Sequence, residues 1–294
     1  MQGLLLINKP EGITSFKAVA ILRRITDTKK IGHTGTLDPL ATGVLPILIG
    51  RATGLSDYLL NSDKRYTATV KAGISTDTLD ITGEVLSENE PDFTQEKLKE
   101  ALEKLTGKQL QYPPVFSAIK KDGVPLYKLA RKGQEVVVQP REITVHSIKL
   151  LEFSPKEYTF KIDVLCSKGT YIRSLCRDIG EYLGCGAVMT ELTRTKTGSF
   201  SLEQCVDLDS LNTENISEYL LDEELAVEHL PCINVSEKQA VRFSNGGKLD
   251  FDRLKGEISD GNYYRIKHNE SFIGIGYADG EKREIRIKCL INPI

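Results

Sequence analysis

The spacing of apolar and polar residues predicts a large domain that mixes strands and helices. Residues 3–8 read as a short buried strand, and residues 44–49 form a second apolar run. Apolar and polar residues alternate over residues 65–73, which indicates a strand with one polar face. Helical spacing of apolar positions predicts three helices, over residues 16–25, 92–105 and 171–183. The first part of the chain is therefore α+β.

The middle of the chain carries further signals of both kinds. Ser15 is expected to cap the first helix, and Gly133 to end a short basic helix over residues 127–132. Strands are predicted over residues 136–138, 143–153 and 158–166. The acidic residues 207–228 are expected to form a helical connector.

A change of pattern near residue 230 predicts a second domain. Ser236 is expected to cap a helix that stops at Gly246, and three short strands follow, over residues 263–267, 271–277 and 283–290. The predicted division is residues 1–230 and 231–294. A β-rich module of this size folds alone only marginally.

Composition excludes several classes of protein. The chain has 294 residues, 40% hydrophobic and 27% charged, which is typical of a globular protein. No apolar run approaches the roughly 20 residues of a membrane-spanning helix. The six cysteines include no C-x-x-C pair and the four histidines are scattered, which disfavours a metalloenzyme. Reduced thiols and the lack of a secretory signal favour the cytoplasm.

The net charge of −2 conceals an uneven distribution. Residues 101–150 carry nine basic and four acidic groups, whereas residues 201–250 carry three and eleven. The basic residues within 120–132, with Tyr127 among them, can follow a nucleic-acid backbone. A solvated lysine face explains them equally well, so both interpretations stay open.

The glycine-rich residues 32–43 contain the most unusual candidate, Asp38. Pro39 restricts Asp38 to extended backbone, which presents the carboxylate from a fixed position. Alternatively, Asp38 and Pro39 are the cap and first residue of a short helix. No Gly-Lys-Ser/Thr follows, so the spacing is not that of a phosphate-binding loop.

A second candidate group lies between a predicted strand and helix, at residues 167–173. Arg173, one turn into the helix, can pair with a carboxylate from another loop or can be an unpaired surface residue. Tyr66 and Tyr171 can stack on a base or can be ordinary half-buried aromatics. Asp77 and Asp80 are typical turn formers.

Four motifs occur in the order found in a known family. They are KPEGITS at 9–15, GHTGTLDPLATGVLP at 32–46, DKRY at 63–66 and SKGTYIR at 167–173. The whole chain resembles the bacterial tRNA pseudouridine synthase B family, which isomerises uridine 55 in the T-loop of tRNA. The resemblance implies a catalytic domain with a central mixed or antiparallel sheet flanked by helices. It also implies a thumb-like RNA-clamping insertion at about 120–150 and a C-terminal RNA-binding domain of the PUA type.

The resemblance also implies roles for single residues. Asp38 matches the catalytic aspartate, Arg173 the arginine that pairs with it, and Tyr66 the tyrosine that stacks on the uracil. Three further residues match the uridine pocket: Tyr171, Leu192 and Asp80. His33 matches a histidine that enters the T-loop where bases have flipped out. The reaction needs neither metal nor cofactor, and a tRNA T-arm is the expected partner, without an obligate protein partner or a membrane.

Two positions depart from the family pattern. Gly54 stands where a basic residue is usual, and Thr193-Arg194 where two arginines are common. Both are expected to concern peripheral RNA contacts.

Two rival functions remain. One is the guide-RNA-dependent branch, the catalytic subunit of box H/ACA particles, which has similar motifs but typically lacks the insertion. The other is a non-catalytic tRNA-binding or tRNA-folding protein in which Asp38 only caps a helix.

Overall fold

A computed structural model describes residues 1–117, 119–121, 123–130 and 138–294. The helices are α1 (Ser15–Thr26), α2 (Ser56–Leu60), α3 (Gln95–Lys104), α4 (Leu126–Ala130), α5 (Ile172–Leu183) and α6 (Glu237–Ser244). The strands are β1 (Gly3–Lys9), β2 (Ile31–His33), β3 (Thr42–Ile49), β4 (Lys64–Ala72), β5 (Ile74–Thr76), β6 (Val85–Glu88), β7 (Gly107–Gln111), β8 (Lys120–Lys121), β9 (Val124–Pro125), β10 (Arg141–Ser154), β11 (Thr159–Cys166), β12 (Ala187–Thr197), β13 (Phe200–Ser201), β14 (Val206–Asp207), β15 (Cys232–Asn234), β16 (Leu249–Asp250), β17 (Tyr263–His268), β18 (Ser271–Asp279) and β19 (Glu284–Leu290).

Ten of the strands described form one mixed sheet. Its main order is β14-β1-β3-β12-β4-β11-β10-β7, with β2 added beside β3 and β13 beside β12. Most neighbours are antiparallel, while the pairs β1–β14 and β3–β12 are parallel. Apolar residues of α1, α3 and α5 pack with the sheet in one cluster. The predicted α+β fold with a central mixed sheet and flanking helices is confirmed. No helix among the described residues is long and apolar enough to cross a membrane.

The first strand is apolar throughout because both of its faces are covered. Leu5 and Ile7 belong to the cluster on the helix side of the sheet. Leu4 and Leu6 point the other way, into a second apolar cluster. Successive side chains of a strand alternate between faces, so an uninterrupted apolar run is what two covered faces require.

The second cluster joins the large sheet to a smaller one. The strands β15-β17-β18-β19-β16 form a five-stranded sheet with an apolar cluster of its own. Phe272 and Ile291 nevertheless pack in the cluster that contains Leu4 and Leu48 of the large sheet. The two sheets therefore share buried apolar surface, and removing one would expose part of the other.

The first helix begins one residue earlier than its predicted cap implies. Thr14 is the residue that caps α1, since its hydroxyl accepts a hydrogen bond from the Lys17 amide at 3.0 Å. Ser15 is buried, and its hydroxyl accepts from the Leu37 amide at 2.8 Å and donates to the Leu37 carbonyl at 3.1 Å. Ser15 thus ties the start of α1 to the glycine-rich loop.

The prediction of a helical connector over residues 207–228 is wrong. This stretch consists of β14 and short 3₁₀ turns at Leu208–Ser210, Ile216–Tyr219 and Glu223–Val227. The Asn212 side chain accepts hydrogen bonds from two nearby amides, and Asp222 accepts from the Glu224 amide. Such local bonds compete with a continuous helix, which is why a merely acidic stretch did not become one.

The basic helix predicted over residues 127–132 is α4, which spans Leu126–Ala130. The glycine expected to end it, and most of the strand predicted over residues 136–138, lie outside the described residues. Val138 is described and is not in a strand.

Replacing Phe272 by alanine should destabilise both sheets together. Phe272 is 4% exposed inside the shared cluster, and truncation of a buried phenylalanine costs about 3–5 kcal/mol. We expect one cooperative transition with a lower urea midpoint, followed by circular dichroism and tyrosine fluorescence. Leu86→Ala is the control, since Leu86 is 69% exposed. A variant that gains a separate early transition, with the main transition unchanged, would contradict the coupling.

Candidate active site

The loop between β2 and β3 presents Asp38 from a turn. The Ala41 amide donates to the Asp38 carbonyl at 3.1 Å, and the chain then continues into β3 rather than into a helix. The interpretation of Asp38 as a helix cap is therefore wrong. The loop is held from outside by Ser15 and by the Gly12 amide, which donates to the Pro39 carbonyl at 2.8 Å. Its backbone position is thus fixed by the segment around the start of α1.

Arg173, in the first turn of α5, is the partner of Asp38. Its Nε lies 2.9 Å from Asp38 Oδ2, and its Nη1 lies 3.4 Å from Asp80 Oδ2. The same guanidinium donates to the carbonyls of Thr78 (2.8 Å) and Phe116 (2.9 Å). The Arg173 side chain is 6% exposed, against 38% for Asp38. The arginine is therefore a buried support, and the carboxylate above it is open to a ligand.

Asp80 is held as firmly as Arg173. Its Oδ1 accepts hydrogen bonds from the Thr78 hydroxyl at 2.9 Å and from the Thr82 amide and hydroxyl at 3.0 and 2.6 Å. The preceding residue, Leu79, has a φ of 64°, which is uncommon for a leucine. Strained backbone of this kind persists where surrounding contacts determine it, and here Asp80 and the Thr78 carbonyl both contact Arg173.

Gln111, which the sequence analysis did not single out, fixes the start of α5. The Tyr171 side chain does not cap this helix. Instead Gln111, 2% exposed on β7, accepts from the Tyr171 amide at 2.8 Å and donates to the Tyr171 carbonyl at 3.1 Å. An isolated glutamine at the end of a short strand gives no signal in the sequence, because its partner is 60 residues away.

A cavity of about 270 Å³ opens above the Asp38–Arg173 pair. Five of the seven candidate residues line it, namely Asp38, Tyr66, Tyr171, Arg173 and Leu192. Asp80 is buried behind Arg173 and is not in the lining. His33 lies outside the cavity, in a neighbouring cleft. The volume is close to the lower end of small-molecule pockets, about 300 Å³.

Arg194 is the main residue of the site whose role the sequence analysis misjudged. It was expected at the periphery, but it is 1% exposed and lines the cavity. Its Nε donates to the Val44 carbonyl at 2.8 Å and its Nη2 to the Gly35 carbonyl at 3.0 Å, on either side of the Asp38 loop. A signal existed: Arg194 is two residues after Leu192 on one strand, so both side chains share a face.

Close packing at Arg194 explains one of the glycines in the loop. Gly43 lies opposite Arg194 in the parallel pairing of β3 and β12 and has a φ of 105°. A Cβ at this position would lie 2.2 Å from the Arg194 carbonyl oxygen. Only glycine allows the two strands to approach in this way.

Burial and the Arg194 charge set the ionisation of the other lining groups. Burial raises the pKa of Tyr66, against the charge of Arg194, which lowers it. Burial also raises the pKa of Tyr171. Lys64 has its pKa lowered to about 8, by burial first and then by Arg194. At neutral pH both phenols therefore keep their protons.

His33, on β2, lines a second cleft of about 450 Å³ together with Arg23, Lys29 and Lys30. Burial, and then the charge of Arg194, lower the pKa of His33, so the imidazole is uncharged at neutral pH. We call this the His33 cleft. Neither it nor the cavity resembles a metal site, because the described residues contain no group of three or more His, Cys, Asp or Glu placed to hold an ion.

Comparison with known proteins identifies the family. Residues 23–172 match the profile of the TruB family pseudouridylate synthase N-terminal domain. Residues 173–231 match that of the tRNA pseudouridylate synthase B C-terminal domain. The tRNA pseudouridine synthase B of Clostridium tetani is 42% identical over 292 residues, covering 99% of this chain and all of that protein. The protein of the same name from Clostridium acetobutylicum is 43% identical, with the same coverage.

Solved structures give the same answer for the fold. A chain in the crystal structure of a Cbf5–Nop10–Gar1 complex superposes with a TM-score of 0.75 at 27% identity, covering 99% of this chain and 85% of that chain. Its sequence identity is lower than that of the two bacterial relatives, although the superposition also covers nearly the whole of this chain. This chain belongs to the TruB family of pseudouridylate synthases.

Proposed function

We propose that this protein is a tRNA pseudouridine synthase that converts uridine 55 of the T-loop to pseudouridine. The observation that carries the proposal is the partly exposed Asp38 carboxylate, which buried Arg173 holds at the edge of a cavity. Aromatic and apolar side chains that can contact a base line this cavity. The choice of tRNA as the substrate rests on the identity of about 42% to tRNA pseudouridine synthase B along nearly the whole chain. Because that substrate is tRNA, we place the enzyme in the cytoplasm.

The reaction is an isomerisation. The bond between N1 of uracil and C1′ of the ribose breaks, the base rotates, and a bond between C5 and C1′ forms. C5 loses its proton and N1 gains one, so no electrons are transferred and no external group is needed. A carboxylate near the junction of sugar and base, in a site from which water is excluded, fits this chemistry.

Asp38 is the proposed catalytic residue, and three lining residues are proposed to hold the base. A base in a folded T-loop is accessible only after flipping. Tyr66 offers an aromatic face for stacking, Leu192 an apolar wall, and Tyr171 a second aromatic edge. Tyr171 keeps its proton, so its hydroxyl can donate a hydrogen bond to the uracil.

Arg173 and Asp80 are proposed to position Asp38. The sequence predicts a pairing of Arg173 with one carboxylate, that of Asp38. The guanidinium is instead shared among two carboxylates and two carbonyls. Its planar, fixed array of donors suits such divided contacts, which a lysine cannot reproduce.

RNA contacts outside the cavity are proposed for three regions. The first is the insertion at about 120–150, of which β8, β9, α4 and the start of β10 are described. Because β10 pairs with β7 and β11 in the large sheet, the part proposed to clamp RNA is the stretch before residue 141. The second is the C-terminal module, residues 231–294, as a PUA-like RNA-binding domain. Its five-stranded sheet and the end of the matched family profile at residue 231 support this division. The third is His33, proposed to enter the space left by flipped T-loop bases.

The stand-alone enzyme is favoured over the guide-dependent alternative by sequence similarity. Identity to the bacterial tRNA enzymes is 42–43%, against 27% to the chain from the Cbf5 complex. The purified protein and an unmodified tRNA transcript test this directly. Pseudouridine at position 55 alone, without guide RNA or a second protein, is expected. No product under these conditions would refute the proposal.

Asp38→Asn should abolish turnover and leave tRNA binding within roughly tenfold, equivalent to about 1.4 kcal/mol. Asparagine keeps the shape of the side chain and removes its charge. Single-turnover product formation and filter-binding affinity check the two parts separately. Asp209→Asn, an exposed carboxylate in the acidic connector, is the matched control. Near-normal product formation by the Asp38 variant would remove Asp38 from the chemistry.

Arg173→Lys should slow the single-turnover rate by roughly 10- to 150-fold. Hydrogen bonds to a charged group contribute about 1.5–3 kcal/mol, and a lysine cannot keep all four contacts. Arg177→Lys is the control, because Arg177 lies on the same helix and pairs only with Asp178 and Glu181 among the described residues. Circular dichroism establishes that both variants are folded. An unchanged rate in the Arg173 variant would count against positioning.

Neutralising the basic residues of the insertion should flatten the salt dependence of tRNA binding. Each lost phosphate contact reduces the log–log slope by about 0.7–0.9. The changes are to glutamine at Lys120, Lys121, Lys128, Arg131 and Lys132, the last two outside the described residues. Different tRNAs should weaken about equally, since phosphate contacts carry no sequence information. A slope equal to that of the wild type would identify a solvated lysine face.

A further inference from the structure

The His33 cleft holds three cations that the proposed mechanism does not use. Arg23, Lys29 and Lys30 line it, and all three are exposed. Within the described ranges, no carboxylate oxygen lies within 4.0 Å of their side-chain nitrogens, whereas Arg65, Arg177 and Arg265 each form an ion pair. A concave surface with three uncompensated positive charges favours an anionic ligand.

The Arg23 side chain and the backbone that carries Lys30 are both held by contacts. The Arg23 guanidinium donates to the Ile31 carbonyl at 3.3 Å and lies 6.0 Å from the centre of the Phe16 ring. The Lys30 carbonyl accepts from the Gly50 amide at 2.8 Å, which anchors the lysine loop to the end of β3. Thr53 and Ser56 add hydroxyl groups to the wall. Cations on anchored backbone are suited to recognise a phosphate.

The cleft is next to the uridine cavity. Leu60, 40% exposed, lines both. His33, at the end of β2, lines the cleft. Gly35, two residues later in the loop, lines the cavity. A nucleotide chain whose base enters the cavity therefore has a direct path for its backbone over Leu60 and His33 into the cleft.

We propose that the His33 cleft binds the phosphodiester groups that flank the flipped uridine. This inference rests on the proposed function and adds a site for the RNA backbone to it. Arg23, Lys29 and Lys30 supply the positive charge. His33 forms the wall of the cleft on the side of the cavity. Its imidazole is uncharged at neutral pH, so the positive charge of the cleft comes from Arg23, Lys29 and Lys30 alone. The ligand is a single-stranded RNA backbone, because the target nucleotide lies in a loop.

The first test compares two triple variants in binding to a T-arm hairpin. The cleft variant carries Arg23→Gln, Lys29→Gln and Lys30→Gln. The control carries Lys97→Gln, Lys99→Gln and Lys104→Gln, which removes the same charge from the exposed face of α3. Each contact to a single-strand phosphate contributes about 0.7 to the slope of log binding constant against log salt concentration. If three such contacts are lost, a rise in salt from about 50 to about 200 mM should weaken binding by the wild type up to roughly twentyfold more than binding by the cleft variant. The control should behave as the wild type.

The second test identifies the phosphates. Hairpins carry a single uncharged methylphosphonate on the 5′ or the 3′ side of the target uridine. At one or both positions the substitution should weaken wild-type binding at least about threefold and leave the cleft variant unaffected. Equal losses in both proteins at both positions, or equal salt slopes in the first test, would overturn the proposal.

The chemical step separates this proposal from the proposed function. At saturating hairpin, the control variant at Lys97, Lys99 and Lys104 should form pseudouridine at the wild-type single-turnover rate. If the wild type makes no pseudouridine, the proposed function fails whatever the binding results. If the wild type is active and the cleft variant binds with unchanged affinity and slope, only the cleft assignment fails.

Discussion

The active site depends on one buried guanidinium. Arg173 links four segments that are distant in sequence: the Asp38 loop, the turn that contains Thr78 and Asp80, the segment at Phe116 and helix α5. A buried charge is tolerated only when it is paired and hydrogen-bonded, and here all its contacts converge on the floor of the cavity. The same contacts that make burial of Arg173 possible therefore hold Asp38 in place.

Arg194 plays a corresponding part on the opposite side of the loop. It bonds the carbonyls of Gly35 and Val44 and lies in register with both Gly43 and Tyr66, across two neighbouring strands. No described carboxylate pairs with it, so its positive charge acts on the groups around it. That charge lowers the pKa of His33 and of Lys64, in each case after burial. The glycine-rich loop is thus held by one arginine on each side, and only one of them contacts a carboxylate.

The fold connects this site to the surfaces proposed for RNA. β1 and β3 form a layer between the helix-side core and the cluster shared with the smaller sheet. The Asp38 loop leads into the N-terminal end of β3, whereas the His33 cleft lies beside its C-terminal end, where β2 pairs with it. A rigid strand that is packed on both faces can hold a base cavity and a backbone cleft at a constant separation. Recognition of the nucleotide and of its phosphates can therefore be set by the same strand.

The sequence by itself determined the helices α1, α3 and α5, the strands β1, β4, β10 and β11 of the large sheet, and the candidates Asp38, Tyr66, Tyr171, Arg173 and Leu192. These follow from local periodicity and from motifs that are continuous in the chain. The tertiary structure decided the contacts between residues that are far apart in the chain. Arg173 is shared between Asp38 and Asp80, Gln111 of β7 holds the backbone of Tyr171 at the start of α5, and Arg194 is buried. It also decided that residues 207–228 form 3₁₀ turns and that His33 lies in its own cleft. The physical reason is that burial and hydrogen-bond partners are properties of the packed chain, whereas a sequence pattern reports only which face of a single element a residue occupies.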